Sequence, residues 1–269
     1  MIGRAIGSGF AAARDFLARG LLRLGVPPNA ITLLGGALTG GAGVCFALGA
    51  SGRFAWSLRP GAGPSAFLLL AGGLLLLSAA CDMLDGAVAR LGGRKTEFGG
   101  FLDSTLDRFS DFAVYAGLAL YYAWAPPRAN LTFLLLAMLA FFNAFLISYT
   151  KARAEDFIES CRVGFWQRGE RTAAVLIATF AHNIPALLVQ QAFLPALTVW
   201  RRVSHTRGEI RAKADPAARQ AKNRTLGALQ IWRHPKGTLG YDVTVAANIA
   251  WLIFAPIPAT DVLRRWLGA

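Results

Sequence analysis

The chain has 269 residues, of which 55% are hydrophobic and only 16% charged, with a mean hydropathy of +0.44. That balance lies outside the usual range of soluble domains and points to a membrane protein. The net charge of +13 gathers at the ends of apolar runs, and no groove-reading motif or interleaved aromatic-basic stretch supports a nucleic-acid partner.

Residues 1–27 read as an amphipathic juxtamembrane helix. Ile2, Ile6, Phe10, Ala13, Leu17, Leu21 and Leu24 recur every three or four residues, with Arg4, Arg14, Arg19 and Arg23 between them. Such a helix lies in the membrane interface and is not a cleaved leader. A spanning helix needs about 20 mostly apolar residues, and 31–50, 65–80, 109–124 and 131–149 supply or nearly supply them. Gly- and Pro-rich residues 51–64 and the Pro126-Pro127 pair interrupt the pattern, as external loops would.

Residues 165–203 are too many for one span and slightly few for two. Asn183 and Pro185 near their middle predict a hairpin of two short helices turning at residues 182–185. Arg201, Arg202, Arg207, Arg211, Lys213, Arg219, Lys222, Arg224, Arg233 and Lys236 then face only Glu209 and Asp215, which favours the cytoplasmic side. The last apolar run, 241–257, is broken late by Pro256 and Pro258.

The expected fold is thus all-α and integral to the membrane. An N-terminal interfacial helix precedes a six-helix transmembrane bundle at 28–206, then a basic cytoplasmic segment at 207–238 and a C-terminal membrane helix or re-entrant segment at 239–269. Cys45, Cys81 and Cys161 have no metal-type spacing and read as packing residues. Trp124, Trp200, Trp232, Trp251 and Trp266 near span ends read as interfacial anchors. His182 reads as a polar turn residue, His205 and His234 as surface residues and Glu97 as a solvated loop charge.

Residues 81–111 read CDMLDGAVARLGGRKTEFGGFLDSTLDRFSD. Each aspartate at bilayer depth costs about 2.5 to 3.5 kcal/mol on the insertion scale, so Asp82, Asp85, Asp103 and Asp107 together cost on the order of 10 kcal/mol unless neutralised. Asp82 and Asp85 are three apart and Asp103 and Asp107 four apart, so each pair projects from one helix face. The short connection containing Gly92 and Gly93 brings the pairs face to face. Four converging carboxylates call for hard divalent cations, and Mg²⁺ or Mn²⁺ suits such a site better than Zn²⁺. Gly86 and Gly99 leave room for a bulky ligand or a close helix. Asp111 reads as a supporting carboxylate or a partner of Arg108.

The pattern Asp82-x2-Asp85-Gly86-x2-Ala89-Arg90-x8-Gly99-x3-Asp103-x3-Asp107 resembles the complete signature of the CDP-alcohol phosphatidyltransferases. The resemblance extends to Pro28-Asn29-x-Ile31-Thr32, Ser148-Tyr149-x2-Ala152-Arg153-Ala154-Glu155 and Arg168-x-Glu170-Arg171, and covers about residues 20–206. It implies a metal-dependent enzyme that transfers a phosphatidyl group from CDP-diacylglycerol to an alcohol and releases CMP. By that resemblance Asp82, Asp85 and Asp103 hold one or two metal ions, two being favoured, and Asp107 either shares a metal or acts as general base on the acceptor hydroxyl. Asn29, Thr32, Asp82, Gly86, Ala89, Arg90 and Gly99 bind the CDP donor.

Lys151, Arg153, Arg168, Arg171 and Arg201 fall at predicted cytoplasmic span ends and suit a phosphorylated acceptor. The 148–155 segment is similar to that of the phosphatidylinositol phosphate synthases, which favours inositol phosphate. Glycerol 3-phosphate, giving a phosphatidylglycerophosphate synthase, is the runner-up. A cation transporter using the aspartates is the rival from another class, though it needs neither Arg90 nor the adjacent glycines. The resemblance further implies a multi-pass protein of the cell membrane, with its active site facing the cytoplasm, and a homodimer. Gly35, Gly36, Gly40, Gly41 and Gly43 could serve close packing between copies or within one.

Overall fold

The structure, a computed structural model, describes residues 2–50, 65–124, 129–214 and 238–268. The expected external loop at 51–64, residues 125–128 of the one expected at 125–130, and most of the basic segment with Trp232 and His234, lie outside the described residues. Every element among the described residues is a helix: α1 (Ile2–Arg23), α2 (Pro28–Gly49), α3 (Ala66–Leu91), α4 (Glu97–Ala123), α5 (Leu131–Glu155), α6 (Arg168–Phe180), α7 (Ile184–Ala214), α8 (Leu239–Phe254) and α9 (Val262–Leu267). Helices α2 to α7 are the six expected of the bundle. They divide into two compact units, and the boundary falls within α4 after Leu118.

In the first unit, α1 stops at Gly25, whose φ of +73° lets the Val26 amide reach back to the Leu21 carbonyl. Pro28 then opens α2, where its missing N–H has no helical partner to lose. Ala18 of α1 is fully buried with Ile31, Cys81, Ala87 and Val88, and Leu21 and Leu22 pack against that cluster. Leu17 and Leu24 stay exposed at 54% and 78%. The apolar stripe of α1 therefore splits: one edge docks on α3, and the other is left for the membrane interface.

Helices α2 and α3 meet closely at Gly35, where an added Cβ would lie 3.1 Å from that of Cys81. Ser78 donates to the Gly35 carbonyl at 2.9 Å and shares a 2.7 Å hydrogen bond with Thr39, so the polar groups of this crossing are satisfied within it. Helices α2 and α4 cross at glycines. A Cβ on Gly43 would run into the Ala113 carbonyl, and one on Gly117 into the backbone of Gly43. Gly36 and Gly41 also face α4 and α3, through Leu106 and Leu74. Of the five glycines 35, 36, 40, 41 and 43, four thus serve packing within the chain.

In the second unit α5 packs along α7. Asn143 donates to the Ala192 carbonyl at 2.6 Å, one turn before Pro195, which sits inside α7. Helices α6 and α7 form the expected hairpin, turning through His182, whose φ is +56°. The buried His182 ring accepts from the Ser65 amide at 2.9 Å, so it is a structural turn residue. Helix α7 runs without a break past residue 206 to Ala214, and the first part of the basic segment is its last turns.

The C-terminal residues are tied to this unit at several points. Trp251 donates to the Ala186 carbonyl at 3.0 Å, so it holds α8 on α7 and is not a free interfacial anchor. Gln190 donates to Asn248 at 2.9 Å, and Asn183 to the Ala255 carbonyl at 3.0 Å. Asp261 receives the amides of Leu131 at 2.8 Å and Thr132 at 3.2 Å, so it caps the start of α5.

The chain is a membrane protein. Among the described residues α2, α3 and α5 are long and apolar enough to cross a bilayer. Helix α4 has the length but carries the acidic pattern, and α6, with 13 residues, reaches only about 20 Å at about 1.5 Å per residue. Cys45, Cys81 and Cys161 are free and buried, in agreement with a packing role.

Candidate active site

Helix α3 carries Asp82 and Asp85 on its last turns and ends at Gly92-Gly93. The φ of +63° at Gly93 lets the Arg94 amide close on the Ala89 carbonyl. Leu22 of α1 lies over Gly92, where any Cβ would sit 2.7 Å from its methyl. Glu97, read from the sequence as a loop charge, is the first residue of α4 and suits the positive end of the helix dipole. The reversal brings the two aspartate pairs together as their spacing predicts.

Asp82, Asp103 and Asp107 present carboxylate oxygens that all lie within 4.8 Å of one another. Asp82 is exposed, Asp103 half-buried and Asp107 buried, so the cluster opens to solvent on one side. Three hard oxygen donors at such separations fit a divalent cation, which would relieve their mutual repulsion. Asp85 is not part of the three. It is buried and accepts a 2.7 Å hydrogen bond from the Thr32 hydroxyl of α2, within electrostatic range of Asp103 and Asp82. Arg108 reaches Asp107 at 3.5 Å.

The residues expected to bind the donor gather in the same unit. Arg90 folds its guanidinium over Gly86, where an added Cβ would lie 3.1 Å from its nitrogen. The Asn29 side-chain oxygen lies 3.5 Å from the space a Cβ on Gly99 would fill. Gly99 itself donates its amide to Thr96 at 3.0 Å. Ala89, half-buried, precedes Arg90 on the same turn.

The expected acceptor cations all belong to the second unit. The connection between α5 and α6 is folded onto α7: the Trp166 amide donates to Thr198 at 3.2 Å, and Arg202 donates to the Val163 and Ile147 carbonyls. Lys151, Arg153, Arg168, Arg171 and Arg201 consequently lie at one end of this unit. Their surroundings differ. Lys151, Arg168 and Arg201 are half-buried, and Arg153 is exposed, paired with Asp156 at 2.8 Å and stacked 4.8 Å above the Phe157 ring. Arg171 is only 3% exposed and donates to the Trp166 carbonyl at 3.5 Å, so it belongs to the packing of this end.

Arg202 and Trp166 are structural supports of this end that the sequence pattern did not single out. Both are buried, and both hold the backbone around the cations. The one available signal was the adjacent pair Arg201-Arg202, since two neighbours on a helix cannot face the same way.

A family model described as CDP-alcohol phosphatidyltransferase matches residues 26–205, and the chain belongs to that family. It is a membrane-bound transferase of phospholipid biosynthesis, which sets aside the transporter reading. It is 36% identical over 191 residues to the phosphatidylinositol phosphate synthase of Mycobacterium marinum, covering 71% of this chain and 72% of that protein. The archaetidylinositol phosphate synthase of Pyrococcus horikoshii is 34% identical over 184 residues, covering 68% and 85%. The crystal structure of the Mycobacterium tuberculosis phosphatidylinositol phosphate synthase with CDP-DAG bound superposes with a TM-score of 0.60 at 30% identity, over 72% of this chain and 92% of that one. The same enzyme in complex with manganese and citrate gives 0.59 at 32% identity, over 72% and 88%.

Proposed function

We propose that this enzyme transfers the phosphatidyl group of CDP-diacylglycerol to a hydroxyl of inositol phosphate and releases CMP. The observation that carries the reading is the convergence of Asp82, Asp103 and Asp107 beside Thr32-bound Asp85, in one unit with Asn29, Gly86, Ala89, Arg90 and Gly99. The bacterial and the archaeal relatives differ in lipid name and share the inositol phosphate. That shared part supports this acceptor over glycerol 3-phosphate.

Asp82, Asp85, Asp103 and Asp107 would hold two Mg²⁺ or Mn²⁺ ions. Bound there, the ions offset the pyrophosphate charge of the donor. Arg90 adds a fixed positive charge, and Gly86 and Gly99 let the cytidine diphosphate lie close to the helix backbones. Asp107 accepts the acceptor's hydroxyl proton as the oxygen bonds to the phosphorus that carries diacylglycerol. The bond from that phosphorus to the bridging oxygen breaks, and CMP leaves. Lys151, Arg153, Arg168 and Arg201 recognise the acceptor phosphate, and Arg171 supports them from within.

The gathering of Lys and Arg at span ends supports a multi-pass protein of the cell membrane with its active site facing the cytoplasm. The assembly proposed is a homodimer.

The test is CMP release by the purified chain with CDP-diacylglycerol and Mg²⁺ or Mn²⁺, offering inositol phosphate, glycerol 3-phosphate, inositol and serine separately. Release confined to inositol phosphate, and absent in Asp107→Asn, is the expected result. Release with glycerol 3-phosphate alone would overturn the acceptor assignment.

A further inference from the structure

A groove of about 500 Å³ lies between α5 and α7 at the basic end of the second unit. Four of its apolar side chains, Tyr149, Phe157, Val203 and Ile210, are 43% to 54% exposed. Arg207 and Arg211, one turn apart on α7, stand exposed along it. Helix α5 is a membrane span that ends at Glu155, so the groove covers its last apolar turn and the turn beyond, the level at which lipid headgroups begin.

Like charges four residues apart on a helix repel, yet no carboxylate among the described residues pairs with Arg207 or Arg211. Glu209 between them turns toward His205, 3.9 Å away. Arg153 at the rim is already engaged by Asp156. Lys213 donates to the Phe157 carbonyl at 2.6 Å and closes the polar end. By sequence the residues that follow add more positive than negative charge: 215–237 contain Asp215 as their single carboxylate against Arg219, Lys222, Arg224, Arg233 and Lys236.

We propose that this groove binds an anionic phospholipid of the surrounding bilayer, with its phosphate on Arg207 and Arg211 and an acyl chain along Tyr149, Val203 and Ile210. Two guanidinium groups match a phosphate in geometry and charge. The exposed apolar side chains beside them suit a hydrocarbon chain and would gain nothing from a water-soluble phosphate. The site is separate from the aspartates, and of the cations assigned to the acceptor only Arg153 borders it, at the rim; it does not depend on which acceptor the enzyme uses.

The test uses the full chain reconstituted in phosphatidylcholine nanodiscs, with spin-labelled phosphatidylglycerol or phosphatidylcholine as probe. The motionally restricted fraction of each lipid is measured beside CMP release. The native chain is expected to prefer phosphatidylglycerol by roughly fivefold or more, the effect of about one cation at an anionic surface. The double variant R207Q/R211Q should lose at least two thirds of that preference and keep CMP release at saturating substrates within about twofold. Equal restriction of both lipids by the native chain would overturn the proposal. So would a preference unchanged in the variant, and so would release of the bound lipid by millimolar inositol phosphate, which would assign the groove to the acceptor. Loss of CMP release in both proteins, with lipid selectivity intact, would instead count against the enzymatic reading alone.

Discussion

The Thr32 hydroxyl donates to Asp85 across 2.7 Å and joins α2 to α3 through residues 53 positions apart. The bond orients one oxygen of a buried carboxylate within electrostatic range of Asp103 and Asp82. Thr32→Val removes the donor and keeps the shape. The expected outcome is about a tenfold loss of kcat/KM for the donor, in line with removing an orienting partner of a metal ligand, and recovery in Thr32→Ser. Steady-state kinetics with varied CDP-diacylglycerol checks this; an unaffected valine variant would make the contact a packing detail.

On the proposed reading Asp82, Asp103 and Asp107 hold the ion together, so removing any one oxygen ligand should cost nearly as much activity as removing two. Asp103→Asn is expected to lower CMP release at least about 100-fold and to weaken Mn²⁺ binding by about 10- to 100-fold. Titration of Mn²⁺ by electron paramagnetic resonance reads the binding directly. Chelation of the native protein should stop release, and added Mn²⁺ or Mg²⁺ should restore it.

Gly40 and Gly43 of α2, three residues apart, should respond in opposite directions. Gly43→Ala forces a methyl into the Ala113 carbonyl and should destabilise the chain by about 1 to 3 kcal/mol. Gly40 has no atom within 4 Å of the position a Cβ would take, so Gly40→Ala is expected to stabilise by up to about 1 kcal/mol through helix propensity. Thermal unfolding in detergent should show the first variant below the native midpoint and the second at or above it.

Partial burial pushes the Asp261 carboxyl up, but the amides of Leu131 and Arg264 and the hydroxyl and amide of Thr132 together outweigh it and hold the group at about 2, against an ordinary 3.8. A depressed carboxylate stabilises docking fully above its ordinary value and loses that contribution as the pH falls through about 2. The C-terminal residues should therefore stay docked at pH 4. Hydrogen exchange at Leu131 and Thr132 is the readout: slow in the native chain at pH 4 and 6, faster in Asp261→Asn at both. An equal rate in the two proteins would remove Asp261 as the clasp.

The aspartate cluster was legible in the sequence because helical spacing and a short glycine-containing reversal leave those carboxylates few other arrangements. Its inner division was not, since the grouping of three with Asp85 set aside depends on the Thr32 hydroxyl arriving from a different helix. The cations show the same limit more strongly. Lys151, Arg171, Arg201 and Arg202 all sit at span ends, where charge is expected whichever way a side chain points. Only the carbonyls of Trp166, Val163 and Ile147 reveal that Arg171 and Arg202 turn inward. On α1, the periodicity gave an apolar stripe without saying which edge α3 would cover.

The crossing of Gly43 and Gly117 carries no chemistry, yet it acts as a pivot for chemistry elsewhere on α4. Asp107 lies about 15 Å along the helix from Gly117, at about 1.5 Å per residue. Over that lever arm a tilt of only about 4° moves the carboxylate by about 1 Å, twice the tolerance of about 0.5 Å that a working site allows. Neither glycine can take a methyl without shifting backbone, so the angle between α2 and α4 has little play. Catalytic fidelity is in this sense a mechanical property of the helix crossing, set by atoms that never meet a substrate.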